Sequence, residues 1–288
     1  MAVTKAQQAG SRLLLFLPAA LWIMIFFVLP YTFLGYVSFK PTSSSSAYLP
    51  GFTLDNYVFN LTDSFFWVIL AETLLEGVAT VLICLLFSYP LAYRLARSRS
   101  RHRSLLYMVV ISPLLVGVVI RCYGWMVLLA DKGLINDLLL KTGIIDAPLP
   151  LMYNMFGVMV GLVQVYMPYM VISLTGAIQR INPELEYTAR SLGASRFTAF
   201  RKITLPMSLP GIMSGSILVF VLTISSYAIP LLLGGNKTLT TPLLIVQTAL
   251  DAFDWPGGAS MAVIMFVIVV TLLSLYIKVL MHAMRGMK

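Results

Sequence analysis

The chain has 288 residues, of which 59% are hydrophobic and 11% are charged, and its formal net charge is +9. Soluble globular proteins are about 45–50% apolar and about 25% charged, so this composition excludes an ordinary soluble domain. The basic residues fall between long apolar runs instead of covering one soluble face, which argues against nucleic-acid binding. We therefore predict an integral membrane protein that is embedded in lipid.

Six apolar runs are long enough to cross a bilayer, which takes about 20 residues of helix. The first run is much longer than the apolar core of a signal peptide, which has about 7–15 residues, so we expect a retained first helix. The sequence thus predicts an all-α membrane protein with six transmembrane helices. The predicted spans are 13–39, 65–93, 105–130, 156–178, 212–233 and 259–281.

The orientation follows from the distribution of lysine and arginine. If the N-terminus is inside, most of the 20 lysines and arginines fall in the inside segments, whereas acids predominate outside. Cytoplasmic loops of membrane proteins carry this excess of basic residues. Both termini are therefore predicted to be cytoplasmic, segment 40–64 is predicted to lie outside, and residues 1–288 form one predicted transmembrane domain.

The inside segment 179–210 is too long to be a simple connection. Asn182 is expected to cap a helix that ends at Gly193 in a left-handed bend. Ser195 then caps a second helix, which Pro206 is expected to end. Because isolated short helices are marginally stable in water, this hairpin predicts a partner that receives it.

This loop resembles the EAA loop of the permeases of binding-protein-dependent ABC importers. The family pattern is Glu-Ala-Ala, three residues, Gly, nine residues and Ile-x-Leu-Pro. Tyr187 and Thr188 depart from it, and Glu186 stands one position before the glutamate of the pattern. The positions that match its spacing are Ala189, Gly193, Ile203, Leu205 and Pro206.

Further motifs resemble the spermidine/putrescine type of permease. They are Ile-Arg-Cys-Tyr-Gly-Trp at 120–125, Lys-Gly at 132–133, Asn136, Gly-Ile-Ile-Asp-Ala-Pro at 143–148, Ile-Pro at 229–230, Leu-Gly-Gly at 233–235 and Asp-Trp-Pro-Gly at 254–257. In the putrescine type, acids flank the Ile-Pro pair of the fifth span. This chain has Ser226 and Leu231 there, which leaves polyamine specificity open.

The resemblance implies a type I ABC importer permease in the bacterial inner membrane. It implies a polyamine-like or other small organic solute, a periplasmic binding protein that delivers it, a second and different permease subunit, and two ATPase subunits. ATP and magnesium belong to those ATPases. The chain has no Gly-Lys-Ser/Thr phosphate loop, so we expect a transport subunit without a cofactor and not an enzyme. The residues expected to couple to the ATPase are Glu186, Tyr187, Ala189, Leu192, Gly193, Ala194, Ser195 and Phe197.

Ionisable residues at membrane depth are costly and usually have a partner or a function. Glu72, Glu76 and Arg121 are the clearest examples, and counting from the ends of the spans predicts that Arg121 pairs with one or both glutamates. This group is either a clamp between two helices or part of a solute pathway. Aromatic residues could line the same pathway by cation–π contact or anchor the chain at the interface; they are Trp125, Tyr166, Tyr169 and Tyr227.

Three other kinds of membrane protein remain as alternative interpretations of the sequence. A secondary transporter fits poorly because the chain shows neither an internal repeat nor a proton relay. A membrane-embedded enzyme lacks a cluster of histidine, cysteine and acid, and Cys84 and Cys122 are expected to be packing residues. A membrane scaffold would not need the bent loop. Co-purification of an ATPase separates the importer from all three.

Overall fold

The computed structural model describes residues 18, 20–43, 46–98 and 102–285. These residues are mainly helical, and no β-strand occurs among them. The α-helices are, in chain order, α1 Leu29–Ser38, α2 Asp55–Thr62, α3 Ser64–Arg97, α4 His102–Ile111, α5 Val118–Leu129, α6 Leu134–Lys141, α7 Met155–Gln179, α8 Glu184–Ser191, α9 Arg196–Ala199, α10 Leu205–Met207, α11 Leu209–Ile224, α12 Thr241–Val246 and α13 Trp255–Arg285. Shorter π-helical segments cover Met24–Val28, Phe200–Thr204, Pro230–Gly234 and Gln247–Asp251, and 3-10 turns cover Ser112–Leu115 and Gly235–Lys237.

Within this described part, four helices are long and apolar enough to cross a membrane, and the number rises to six if each of two bent helix pairs is one span. The all-α fold is confirmed, although the start of the predicted first span lies outside the described residues. The helices are Ala20–Ser38, Ser64–Arg97, Met155–Gln179 and Trp255–His282, and the bent pairs are Arg103–Leu115 with Val118–Lys141 and Arg196–Met207 with Leu209–Ile224.

Two predicted spans are wrong as continuous helices. The third bends by 100° at a break after Leu115, where Pro113, which has no N–H to donate, lies in a 3-10 turn. The fifth was predicted to reach residue 233, but α11 ends at Ile224. There the Ser225 hydroxyl donates to the Val221 carbonyl, over 2.7 Å, which satisfies a carbonyl at the helix end.

The chain forms two compact units, one from residues 1–64 and 244–268 and the other from residues 65–243 and 269–288. The single domain predicted over 1–288 stays a prediction. In the first unit Lys40 is only 5% exposed. Its ammonium lies 4.3 and 4.2 Å from the ring centroids of Tyr36 and Phe52 and donates to the Gly51 carbonyl over 3.0 Å. Cation–π and hydrogen-bond contacts thus hold this lysine in place.

In the second unit α3 and α7 run parallel. Three polar contacts join them, and in each the two residues are 79 positions apart, so the helices keep one register along their contact. Two parallel spans need a return crossing between them. The bent pair Arg103–Leu115 with Val118–Lys141 therefore counts as one span. The contacts join Thr80 to the Met159 sulfur, Cys84 to the Val163 carbonyl and Ser88 to the Met167 carbonyl.

Small residues let α7 and α11 pack closely and antiparallel. A Cβ on Gly215 would lie 2.6 Å from the Met170 sulfur and 3.2 Å from the Ser173 Cβ. The Ser173 and Ser214 hydroxyls share a hydrogen bond of 2.7 Å. Gly211 likewise faces Ala177, so its small-xxx-small pattern with Gly215 serves packing within the subunit.

Candidate functional site

The loop after α7 folds into the predicted helical hairpin. The Glu184 N–H donates to the Asn182 side chain over 3.0 Å at the start of α8. Gly193 ends the helix with φ +92°, in the left-handed region that favours glycine. Ser195 caps α9 by accepting from the Thr198 N–H over 3.1 Å. The predicted stop at Pro206 is wrong, because helical structure continues to Met207 and breaks at Ser208.

The hairpin presents apolar side chains to its surroundings. Tyr187 is 64% exposed, Leu192 is 84% exposed and Phe197 is 69% exposed. Ala189 and Ala194 are half-buried, and Ser195 is exposed beside them. Exposed apolar groups around a bend are typical of a surface that a partner covers.

Glu186 points the other way, into a cluster of four side chains. Its carboxylate accepts from Arg97 over 2.6 Å, from the Tyr93 hydroxyl over 2.7 Å and from the Thr204 hydroxyl over 2.8 Å. Arg97 also donates to the Ile181 carbonyl over 2.8 Å. The cluster therefore joins the end of α3, the first loop helix and the segment that leads into the fifth span.

The cluster also sets the charge of Glu186. Burial raises the pKa of this carboxyl, but hydrogen bonds from Tyr93, Thr204 and Arg97, together with the Arg97 charge, outweigh it and leave the pKa below its ordinary value. Glu186 is consequently ionised near neutral pH.

Sequence reasoning missed Tyr93, Arg97 and Thr204 as site residues. Arg97 was counted only among the charges that set orientation, and its partner lies 89 residues away. The sequence indicated a local partner instead, because Arg190 lies four positions after Glu186. These two residues make no ion pair in the described structure.

The predicted ion pair of Arg121 with Glu72 or Glu76 is wrong. Among the described residues the ion pairs are Arg97–Glu186 and Lys141–Asp137. Two guanidinium nitrogens of Arg121 are buried without a hydrogen-bond partner in this described part, and so is one carboxylate oxygen of Glu76. The predicted pair depended on comparing the depths of these residues in the membrane as if the helices were straight. The third span bends by 100°, so that comparison does not hold.

The predicted pathway residues are only partly brought together. Glu72 is exposed, whereas Glu76, one turn further along α3, is 4% exposed. Tyr166 belongs to the main hydrophobic core, and Trp125 and Tyr169 pack against that core. Tyr227 is 37% exposed. Both cysteines are buried and free, as expected of packing residues, and the described residues contain no group of acids, histidines and cysteines that could hold a metal ion.

Comparisons with known proteins give one consistent relationship. The family model for the inner membrane component of binding-protein-dependent transport systems matches residues 8–286. The spermidine/putrescine transport system permease protein PotB of Escherichia coli (strain K12) is 33% identical over 255 residues, covering 88% of this chain and 92% of that protein. The molybdenum transport system permease protein ModB of Mycobacterium tuberculosis is 30% identical over 197 residues, covering 68% and 73%. A chain of a bacterial alginate ABC transporter, solved with an alginate-bound periplasmic protein, superposes with a TM-score of 0.77 at 18% identity and 93% coverage of both chains.

Proposed function

Because this chain belongs to the family of inner membrane components of binding-protein-dependent transport systems, we propose that it assembles with a second, different permease subunit and two ATPase subunits that bind ATP and magnesium. The chain is a permease subunit of an ABC importer of the inner membrane and a transport subunit, not an enzyme. Family membership rules out the secondary transporter and the scaffold as readings of the sequence.

The cytoplasmic hairpin is the proposed contact with an ATPase subunit. Its exposed residues Tyr187, Leu192 and Phe197 provide the apolar contact, and Gly193, Ala194 and Ser195 set the bend between them. Ala189 supports the bend through the hydrogen bond that its carbonyl accepts from Ala194, over 3.0 Å. Glu186 serves as a positioning residue, because its carboxylate is already occupied by three donors.

When an ATPase subunit is docked, the hairpin connects it to the transmembrane spans. Motion of an ATPase on nucleotide binding would reach the end of α3 through Glu186 and Arg97, and would reach the fifth span through Thr204. Such a contact chain can bias a bundle between outward-facing and inward-facing states.

The proposed solute is a small organic cation of the polyamine type. The support is the similarity to spermidine/putrescine permeases along 88% of the chain, together with the buried carboxylate of Glu76. Glu76, Arg121, Trp125, Tyr166 and Tyr169 are the candidate pathway residues. Glu72 and Tyr227 complete the predicted set and are exposed.

Assembly and solute are tested separately. Native mass measurement of the complex purified through a tag on this chain should find one copy of it, one different permease and two ATPases. Two copies of this chain without a second permease would refute the heteromer. Calorimetry of the cognate binding protein with spermidine, putrescine and molybdate should give heat with the amines, and binding of molybdate alone would refute the solute class.

A further inference from the structure

Glu76, Thr223 and Thr240 each bury an oxygen atom that has no hydrogen-bond partner in the described part of the chain. Glu76 belongs to α3, Thr223 lies in the last turn of α11, and Thr240 directly precedes α12, all within the second compact unit. The three residues are 4%, 4% and 3% exposed. Because a buried polar atom without a partner destabilises the fold, such a group of oxygens indicates a ligand that they bind.

The segment before α12 lies against α3 close to Glu76. The Thr241 N–H donates to the Thr73 hydroxyl over 2.9 Å, and the two hydroxyl oxygens lie 3.1 Å apart. Thr73 and Glu76 are three positions apart in α3 and therefore share one face of that helix. Since Thr240 is the neighbour of Thr241 in the chain, this contact places it beside the turn of α3 that carries Glu76.

The end of α11 lies against the same turn of α3. A Cβ added to Gly77, the residue after Glu76, would lie 2.8 Å from the Cγ2 atom of Ile224 and 2.8 Å from the Phe220 ring. Thr223 follows Phe220 by three positions and so lies on the side of α11 that faces α3. The three oxygens without partners thus belong to residues around one turn of α3.

The charge around this turn is negative. Glu76 takes part in no ion pair among the described residues. α11 ends at Ile224, before the end of the predicted fifth span, and the C-terminus of a helix carries a partial negative charge. In other membrane transport proteins, the C-terminal ends of interrupted helices coordinate cations. A carboxylate, two hydroxyls and a helix C-terminus therefore favour a cation as the ligand.

The donor atoms indicate the kind of cation. A primary ammonium group has three N–H donors, which equals the number of oxygens without partners, and carboxylate and hydroxyl oxygens also suit hard metal cations. One carboxylate balances one positive charge. We propose that Glu76, Thr223 and Thr240 bind one small monovalent cation, either the primary ammonium group of a transported solute or an alkali metal ion. The ammonium alternative rests on the proposed function, whereas the metal-ion alternative does not.

The bound cation links α3 to the end of α11 and to the start of α12. Its binding therefore favours the arrangement in which these segments are in contact, and its release permits them to separate. A ligand that binds one arrangement better than another shifts the equilibrium between them. Occupancy of the site thus biases the helices toward one state of the transport cycle.

The test measures the thermal unfolding midpoint of this chain in the purified importer, without binding protein or nucleotide. The chloride salts of sodium, potassium, methylammonium and the bulky cation N-methylglucamine are compared at equal concentration. The midpoint of wild type should rise in at least one small cation relative to N-methylglucamine, because a ligand of the folded state stabilises it. The rise should be lost in Glu76→Gln and in Thr223→Val with Thr240→Val, which keep the side-chain shapes and remove the charge or the hydroxyls.

The matched control is Thr175→Val, which should keep the rise. Thr175 is 1% exposed and its hydroxyl also has no partner in the described part of the chain. It lies near the end of α7, whereas the contact of Thr80 with Met159 places Glu76 level with the start of that helix. Thr223→Ser with Thr240→Ser retains both hydroxyls and should keep the rise, so it separates loss of the ligand from faulty folding.

A rise in methylammonium identifies the ammonium group of the solute as the ligand, and a rise confined to sodium or potassium identifies an alkali metal ion. Equal midpoints in all four salts overturn the proposal. A rise that persists in Glu76→Gln, or that is lost equally in Thr175→Val, also overturns it. The solute class is tested independently by calorimetry of the binding protein, so a refuted polyamine class and a refuted cation site give different results.

Discussion

Arg97 at the end of α3 and Glu186 in the first loop helix form an ion pair with a nitrogen–oxygen distance of 2.6 Å, and both side chains are 15% exposed. Surface ion pairs contribute little to stability, but a largely buried pair is costly to break because one charge remains without a partner. Glu186 also holds Tyr93 and Thr204. The pair therefore fixes the orientation of the loop relative to the spans.

We expect Arg97→Ala to uncouple ATP hydrolysis from transport. The substitution leaves the Glu186 carboxylate partly buried without its charged donor, at a cost on the order of 1–3 kcal/mol. The measurement is solute uptake per ATP hydrolysed in proteoliposomes. Arg94→Ala is the control, because Arg94 lies one turn earlier on the same helix and is exposed. Equal coupling in the two variants would show that the ion pair has no role in transmission.

The pH dependence of the loop should be flat near neutrality. The pKa of Glu186 in the folded chain is below its ordinary value, so its stabilising effect is present above the ordinary pKa and is lost only as the pH falls through the lowered one. Hydrogen-exchange protection factors of residues 184–191 should therefore be constant between about pH 5 and 8. Arg97→Ala removes the charge that opposes burial and so raises the pKa of Glu186 relative to wild type; protection should therefore be lower than in wild type at neutral pH, and the difference should narrow toward the acidic end. A decline in wild type would contradict the charge assignment.

The left-handed bend at Gly193 should tolerate asparagine better than valine. No atom lies within 4 Å of a Cβ added there, so a side chain costs only backbone strain, about 1–2 kcal/mol for an ordinary residue and less for asparagine. We expect Gly193→Val to lose the ATPase subunits or to uncouple them, and Gly193→Asn to retain both. Gly176→Val is the control, since Gly176 is exposed in α7 and its Cβ also meets no atom. Normal transport by Gly193→Val would count against docking through this bend.

Thiol labelling should reveal the orientation of the chain. The native thiols of Cys84 and Cys122 are buried, so engineered cysteines at exposed positions give the signal. An impermeant maleimide added to intact spheroplasts should label Phe52→Cys, which is 72% exposed. It should label Arg180→Cys, which is also exposed but lies on the predicted opposite side, only after lysis. Labelling of Arg180→Cys from outside would reverse the predicted topology.

The features that the sequence predicted correctly depend on local interactions. The bend at Gly193 and the cap at Ser195 follow from residues within one helical turn. The Arg97–Glu186 pair joins positions 89 residues apart, and no local pattern specifies which span end meets the loop. The sequence contains Pro113, but prolines are tolerated inside membrane helices. The proline therefore did not predict that a helix ends there. The error about Arg121 follows from that break.

Glu76 and Glu72 provide a matched test of the solute pathway. They lie one turn apart on α3, and the first is 4% exposed whereas the second is exposed. Glutamine has almost the same shape as glutamate and removes only the charge. If a cationic solute meets the Glu76 carboxylate during transport, Glu76→Gln should reduce uptake strongly while the complex still assembles. Glu72→Gln should behave like wild type.

The measurement is uptake of labelled putrescine into proteoliposomes, with assembly followed by size-exclusion chromatography. Loss of assembly in Glu76→Gln would assign the carboxylate to packing, and equal uptake in both variants would remove Glu76 from the pathway. Arg121 supplies a further check. Because it does not pair with either glutamate, the exchange of Arg121→Glu with Glu76→Arg should not restore function, and the single effects of sites without a direct interaction should add. Restoration by the exchange would show that the two residues meet in another state of the transport cycle.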